Sequence, residues 1–334
     1  MTDIKFSILC ASFNHSKYIG RLINSILQQA HRNFEIIIVD DCSTDNTEEV
    51  VAHFSDSRIK FFKNERNYGI NYTVQQAFEK SSGEYAIFIG SDDEFAPDYL
   101  SVLNQEIEKS HKDFYYTDYI IIDENSKPWK KQPSISNKRF NNRFEALRFI
   151  FYYGNPFSSP GMVIKHEAFA SILPLPMLVI QHQDLYMHTN LLMKGDYGII
   201  DYKGIHYRQF KSGNISRYSF PVEIRMKLEY FEIWDLFLKE QNFPLLEKVF
   251  EIKNLTAYDI CLIAMQSNRP DLQEWGYQSL VRIYSNRNTY KDICERKNLT
   301  FKDFLLISKK IKKYTNYYHI RNLIRNLKYF GLFN

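Results

Sequence analysis

Short runs of apolar, largely β-branched residues alternate with stretches in which apolar side chains recur every three to four positions. Short continuous apolar runs of this kind read as buried strands, and the 3.6-residue period gives amphipathic helices. Phe6–Cys10 reads as a short buried strand, followed by a helix carrying Tyr18/Ile19, Leu22/Ile23 and Ile26/Leu27 on one face. Glu35–Val39 is the next strand. Asp45 with Glu48 three residues later forms a capping-type start for a helix bearing Val50, Val51 and Phe54. Arg58–Phe62 is a third strand, and Ile70, Val74, Ala77 and Phe78 mark a helical face that stops near Gly83. Tyr85–Ile89 is a fourth strand, and Pro97 suits the first turn of a helix faced by Leu100, Leu103 and Ile107.

Strands alternating with helices predict an α/β fold, a parallel sheet covered on both faces, because each crossover helix buries its apolar stripe against the sheet. In such sheets the ligand crevice lies outside the carboxyl ends of the strands. Three polar or acidic clusters fall at such ends: Ala11–Asn14, Asp40–Ser43 and Ser91–Asp93. Beyond Tyr115–Asp123 the alternation loosens. Lys127–Asn142 is polar with two prolines and reads as a loop, Phe144–Tyr153 as a helix, Gly161–Lys165 as a strand. Asp184, Leu185, His188 and Leu191 share a helix ending before Gly195, and Tyr197–Asp201 is strand-like. From about Pro221 the spacing of Met226, Tyr230, Trp234 and Leu238 is helical.

The 334 residues allow one large domain with an appendage, or two domains. No run approaches the roughly 18 apolar residues of a membrane span, and the first residues lead directly into a strand, so a cytoplasmic location is expected. Cys10, Cys42, Cys261 and Cys294 are scattered without a C-x-x-C pair, which excludes a disulfide framework or zinc cluster. The formal charge of +4 is uneven: residues 301–334 carry eight Lys/Arg against one Asp, leaving a net negative body.

Phosphate-cradling G-x-G-x-x-G and G-x-x-x-x-G-K-[ST] motifs are absent, which removes the main support for dehydrogenase and P-loop readings. What stands at the strand ends is carboxylate. A carboxylate holds a diphosphate only with a divalent cation between the two negative partners, a task that suits Asp92-Asp93 after an apolar strand.

Ser7–Asn14, Tyr18-Ile19, Phe34–Thr47 (FEIIIVDDCSTDNT) and Gly83-Glu84-Tyr85 before Ser91-Asp92-Asp93, in this order, resemble the family 2 glycosyltransferases of the GT-A fold. The resemblance covers roughly residues 4–215 and is densest in the first hundred. It implies a Rossmann-like mixed sheet with helices on both faces and inverting transfer of one sugar from a nucleotide-sugar, a UDP-sugar, to a glycan or lipid-linked acceptor, with Mn²⁺ or Mg²⁺. By the same resemblance Asp41 accepts the uracil N–H, Phe13 packs near the base with Ala11 and Asn14 beside it, and Asp92 and Asp93 form the acidic motif, Asp93 being the metal ligand. Gln181-His182-Gln183-Asp184 matches the stretch that supplies the base, giving Asp184 that role; the competing reading is a helix cap. Tyr207-Arg208-Gln209-Phe210 resembles the closing Tyr-Arg-x-His motif.

The departures are Gly90 for a frequent Asp, Gln183 for Glu, and Phe210 for His, with His206 a candidate substitute. The Gln-x-x-Arg-Trp signature of processive synthases is absent, so one sugar per encounter is expected. The resulting division is a glycosyltransferase domain over 1–218, its nucleotide-sugar half about 1–123 and acceptor half about 140–218, then a helical region over 219–334. The basic, aromatic run from Lys309 to Phe330 is suited equally to an anionic membrane surface, giving a peripheral location, or to packing on the body; no nucleic-acid module is recognised. The alternatives are a catalytically degenerate sugar-nucleotide or glycan-binding module and a nucleotidyltransferase.

Overall fold

The computed structural model describes residues 3–132, 137–210, 219–304 and 306. The basic aromatic tail and Asn214–Ser216, adjoining the closing motif, lie outside the described residues. The chain divides into two compact units, Met1–Leu236 and Phe237–Asn334.

The first unit is built on an eight-stranded sheet in the order β3-β2-β1-β4-β7-β6-β8-β5. Its strands are β1 (Phe6–Ser12), β2 (Phe34–Asp40), β3 (Ile59–Lys63), β4 (Tyr85–Gly90), β5 (Glu94–Phe95), β6 (Phe114–Ile122), β7 (Val163–Lys165) and β8 (Tyr197–Arg208). Between them run α1 (Ile19–Leu27), α2 (Thr47–Ala52), α3 (Ile70–Glu79), α4 (Tyr99–Ser110), α5 (Arg143–Tyr153), α6 (His166–Ala170) and α7 (Gln183–Lys194), and α8 (Phe220–Asp235) ends the unit. β1, β2, β3 and β4 are parallel, as the alternation predicts. The sheet is nevertheless mixed: β7 is antiparallel to both β4 and β6, and β5 to β8, while β6 and β8 run parallel. Two reversals at β7 restore the original direction, so β6 and β8 end on the same edge as β1, β2 and β4. Ile8, Ile36, Ile38 and Ile87 are fully buried and meet Leu22, Ile23, Leu100 and Leu103 from the helices in one core.

Two local readings are corrected. Asp45 does not form a capping box with Glu48; the N-cap is Asn46, and Asp45 closes its own turn by accepting the Thr47 N–H (3.1 Å) and ties in the Ser16 N–H (2.9 Å). Pro97 lies before α4, not in its first turn, because Asp98 takes the left-handed conformation (φ 60°) at the N-cap. The strand read as Tyr197–Asp201 continues to Arg208, carried by its pairing with β6.

The second unit contains α9 (Phe243–Phe250), α10 (Ala257–Met265), α11 (Pro270–Tyr284) and α12 (Arg287–Lys297). Thr256 and Asp259 cap α10 reciprocally, and Tyr258, Cys261, Leu280 and Ile293 form its core. No helix among the described residues is long and apolar enough to cross a membrane.

Candidate active site

Parallel pairing places three loops on one sheet edge. Ser12 is in register with Asp40, and Ala11 with both Val39 and Gly90, so the segments following β1, β2 and β4 emerge side by side. Asn14, with φ 55°, joins two of them: its N–H donates to Ser43 Oγ (2.8 Å) and its Oδ1 accepts the Thr44 N–H (2.8 Å). His15 Nδ1 meets Ser91 Oγ at 2.6 Å and joins the third. Phe13, between β1 and α1, is 43% exposed, an apolar ring left open at this edge.

Asp41 is 4% exposed and anchors the loop after β3. Asn64 Nδ2 (2.8 Å) and the Tyr68 N–H (2.9 Å) donate to Oδ1, and the Gly69 N–H donates to Oδ2 (2.8 Å). A carboxylate offers about four acceptor sites, so one remains, on Oδ2. Asp40 is turned inward, where Ser43 donates to it through both N–H and Oγ. Asn64 and Tyr68 are site residues the sequence reading missed; the polar Asn64–Gly69 stretch directly after β3 was the available signal.

At the end of β4, Gly90 matters for what it lacks. A Cβ there would lie 2.8 Å from Asp92 Oδ1 and 3.0 Å from Asp93 Oδ2, so the two carboxylates flank one point and occupy the space a side chain would take. Asp93 is buried, and burial together with the neighbouring Asp92 pushes its carboxyl well above the ordinary range against the opposing pull of Arg208. Two carboxylates compressed at one point fit a divalent cation, which relieves both the desolvation and the repulsion. Among the described residues no group of three or more His, Cys, Asp and Glu could hold a metal, so water and ligand oxygens would have to complete the shell of a cation here.

Arg208, at the end of β8, holds this loop. Its N–H donates to Asp93 Oδ1 (2.8 Å) and its Nε to the Asp92 carbonyl (2.7 Å). Its other nitrogens reach Glu94, the Asp123 carbonyl and Ser126 Oγ, while the guanidinium lies 4.9 Å from the Tyr18 ring centroid. The sequence reading placed Arg208 in a motif but gave it no task; it is a fully buried cation made tolerable by these partners. Phe210 packs its ring on Tyr18 at 5.3 Å, on the same ring that faces the Arg208 guanidinium. His206 stands opposite Glu94 in the β8–β5 register.

Asp184 lies in the first turn of α7, partly exposed. Asp184 is not the helix cap, since the N-cap is His182. Its Asp184 Oδ1 atom accepts the N–H of the adjacent Leu185 (2.7 Å), and Oδ2 accepts Asn155 Nδ2 (2.9 Å) and Ser159 Oγ (3.0 Å). Behind them sits buried His188, whose Nδ1 lies 3.2 Å from Asn155 Oδ1 and whose Nε2 lies 3.5 Å from Ser159 Oγ. Burial lowers the imidazole pKa to about 4, so it is neutral near pH 7. Asn155 and His188 were not assigned this role from sequence, since Asn155 lies 29 positions from Asp184 and only the fold joins them.

The architecture is that of the GT-A glycosyltransferases. Staphylococcus aureus TarS, residues 1-349 in complex with UDP-GlcNAc, superposes with a TM-score of 0.59 at 20% identity, covering 83% of this chain and 81% of that one. Residues 7–173 match the glycosyl transferase family 2 sequence family, half of the chain, and the chain belongs to that family. It is 36% identical over 126 residues, 38% of the chain, to the UDP-Glc:alpha-D-GlcNAc-diphosphoundecaprenol beta-1,3-glucosyltransferase WfgD of Escherichia coli. It is 30% identical over 126 residues, 37% of the chain, to the glycosyltransferase GlyA of Streptococcus pneumoniae serotype 4. The match spans half the length of WfgD and 18% of GlyA. The family match ends before Asp184, Arg208 and all of α8.

Proposed function

We propose that this chain transfers a single sugar from a UDP-sugar to a glycan or lipid-linked acceptor, with inversion at the anomeric carbon. The observation that carries the reading is the convergence on one sheet edge of the Asp41 carboxylate with one acceptor site left, an exposed ring at Phe13 and a carboxylate pair at Asp92 and Asp93. The relatives agree: WfgD is named for UDP-Glc and a diphosphoundecaprenol-linked sugar, and TarS was solved with UDP-GlcNAc.

In this reading the remaining acceptor site of Asp41 takes the uracil imide N–H, and Phe13 packs on the base, with Ala11 close by and Asn14 holding the surrounding loops together. Asp92 and Asp93 hold Mn²⁺ or Mg²⁺, with Asp93 the direct ligand. Such a cation, with water and donor oxygens completing its shell, supplies neutralising charge for the departing diphosphate. Asp184 accepts the proton of the acceptor hydroxyl, and Asn155 and Ser159 hold its carboxylate in place.

Calorimetric titration of UDP with and without Mn²⁺ tests the donor side. The wild-type protein is expected to bind UDP more tightly with the cation, and Asp93→Asn, which withdraws a charged oxygen ligand, to lose that gain. Equal cation dependence in the two proteins places the metal elsewhere. UDP binding without release of UDP from any UDP-sugar and acceptor combination favours the binding-module reading.

A further inference from the structure

We propose that Glu229 on α8 is a positioning residue that fixes the turn carrying Asp184; the inference rests on the reading of Asp184 as the base. Glu229 is 4% exposed, and its carboxylate accepts three successive backbone N–H groups: Ile180 on Oε1 (3.0 Å), then Gln181 and His182 on Oε2 (both 2.7 Å). Consecutive amides converging on one anion form a nest, which binds negative charge and fixes the backbone dihedrals of the residues that make it. His182 is the N-cap of α7, and no side chain at that N-cap position bonds the first turn. Glu229 therefore adds, from another helix, a second negative charge at an end of α7 that already carries Asp184 in its first turn.

The same helix supports the other half of the Asp184 clamp. Gly154, at φ 97°, immediately precedes Asn155, and a Cβ there would fall 2.5 Å from Tyr230 Oη, so the residue next to Glu229 closes on the backbone that presents Asn155. On the opposite flank, Asn71 of α3 donates to the Pro176 (2.6 Å) and Val179 (2.8 Å) carbonyls. The approach to α7 is thus held between α3 and α8, and the α8 side ends on the N-cap itself. A carboxylate is the group this arrangement requires. A glutamine would keep one acceptor oxygen and turn an NH₂ donor toward backbone donors. Misplacing a catalytic group by about 1 Å costs on the order of 10²-fold in rate, so a turn that is pinned rather than merely folded has kinetic value.

The experiment is Glu229→Gln, alone and combined with Asp184→Asn, in the full chain. The expected result is a fall in kcat of about tenfold or more, with UDP affinity and donor KM unchanged. In the Asp184→Asn background the further loss should vanish, because a residue acting through the base has nothing left to position. A folded Glu229→Gln with normal kcat overturns the proposal, as do losses that multiply in the double variant. If Asp184→Asn alone turns over normally, the base assignment fails; if it is impaired while Glu229→Gln is not, that assignment stands and the positioning role falls. Should Glu229→Gln not fold, Glu229→Asp keeps the charge on a shorter stem. It is expected to fold and show a smaller kcat loss of the same kind, and a normal kcat in it overturns the proposal.

Discussion

Asp41 already carries three hydrogen bonds within the protein, which decides which substitution there is informative. Alanine removes the shared acceptor: Asn64 and Gly69 keep second acceptors in Thr73 Oγ1 (3.4 Å) and Asn67 Oδ1 (3.1 Å), but the Tyr68 N–H loses its bond, at about 1–3 kcal/mol for a buried unpaired donor, so weaker UDP binding would follow from a loosened loop alone. Asp41→Asn keeps the shape and removes the charge and one acceptor oxygen. It is expected to weaken UDP binding by at least about tenfold, the 1.4 kcal/mol scale of a lost charge-assisted hydrogen bond, while the melting temperature falls only a few degrees. UDP affinity equal to wild type in calorimetry would remove Asp41 from the base pocket. At Gly90 the missing side chain weakens the expected metal motif by one ligand, yet it also lets Asp92 and Asp93 fold over the same point. The motif reading registers only the loss.

At the scale of elements, β1, β2 and β4 with the helices between them were legible, because each strand is a short apolar run and the helices show an apolar face at helical spacing. β7 was read as a strand within Gly161–Lys165, and the resemblance implied a mixed sheet, but nothing in three residues signals that this strand is the one that runs antiparallel to its neighbours. The roles of Arg208 and Glu229 were equally hidden: Arg208 meets Asp93 across 115 positions, and Glu229 meets His182 across 47. Asp184 is the case where local and distant bonds compete, since Oδ1 accepts the N–H of the adjacent Leu185 and Oδ2 faces Asn155 and Ser159. Asp184→Asn must turn an NH₂ toward one of these groups of donors, so a stability loss of about 1 kcal/mol is expected. Transfer should fall far further, by the 10²–10⁴-fold that general-base catalysis supplies, with UDP binding retained. Near-normal turnover would leave Asp184 with only a structural role in the first turn of α7 and move the base to another carboxylate.

For the whole molecule, acid sensitivity and the domain boundary give two further tests. Glu35 is buried between β1 and β3, and although burial raises its pKa, hydrogen bonds from Lys60, Ser7 and Ser82 bring it down to about 2. A depressed carboxylate contributes stability that is complete above its unfolded value near 4.5 and is lost as pH falls toward 2, on the order of 3 kcal/mol in all. Denaturant melts of Glu35→Gln and wild type should therefore differ at pH 7 and converge near pH 2; a constant difference would mean that the charge is not what Glu35 contributes. The boundary is tested by where the chain is cut. The sequence reading ends the catalytic domain at 218, whereas the compact unit runs to Leu236 and includes α8. Trp234 is fully buried there and donates from Nε1 to the Phe151 carbonyl (3.1 Å), and Glu229 serves three N–H groups before α7. Removing a buried Trp costs about 3–5 kcal/mol, and each orphaned backbone group adds about 1–3, against a total stability of about 5–15. A chain ending at 236 is expected to melt cooperatively and bind UDP, and one ending at 218 to be unfolded or to melt far lower by circular dichroism. Equal melting of the two would show that α8 contributes nothing to the catalytic unit and would return the boundary to 218.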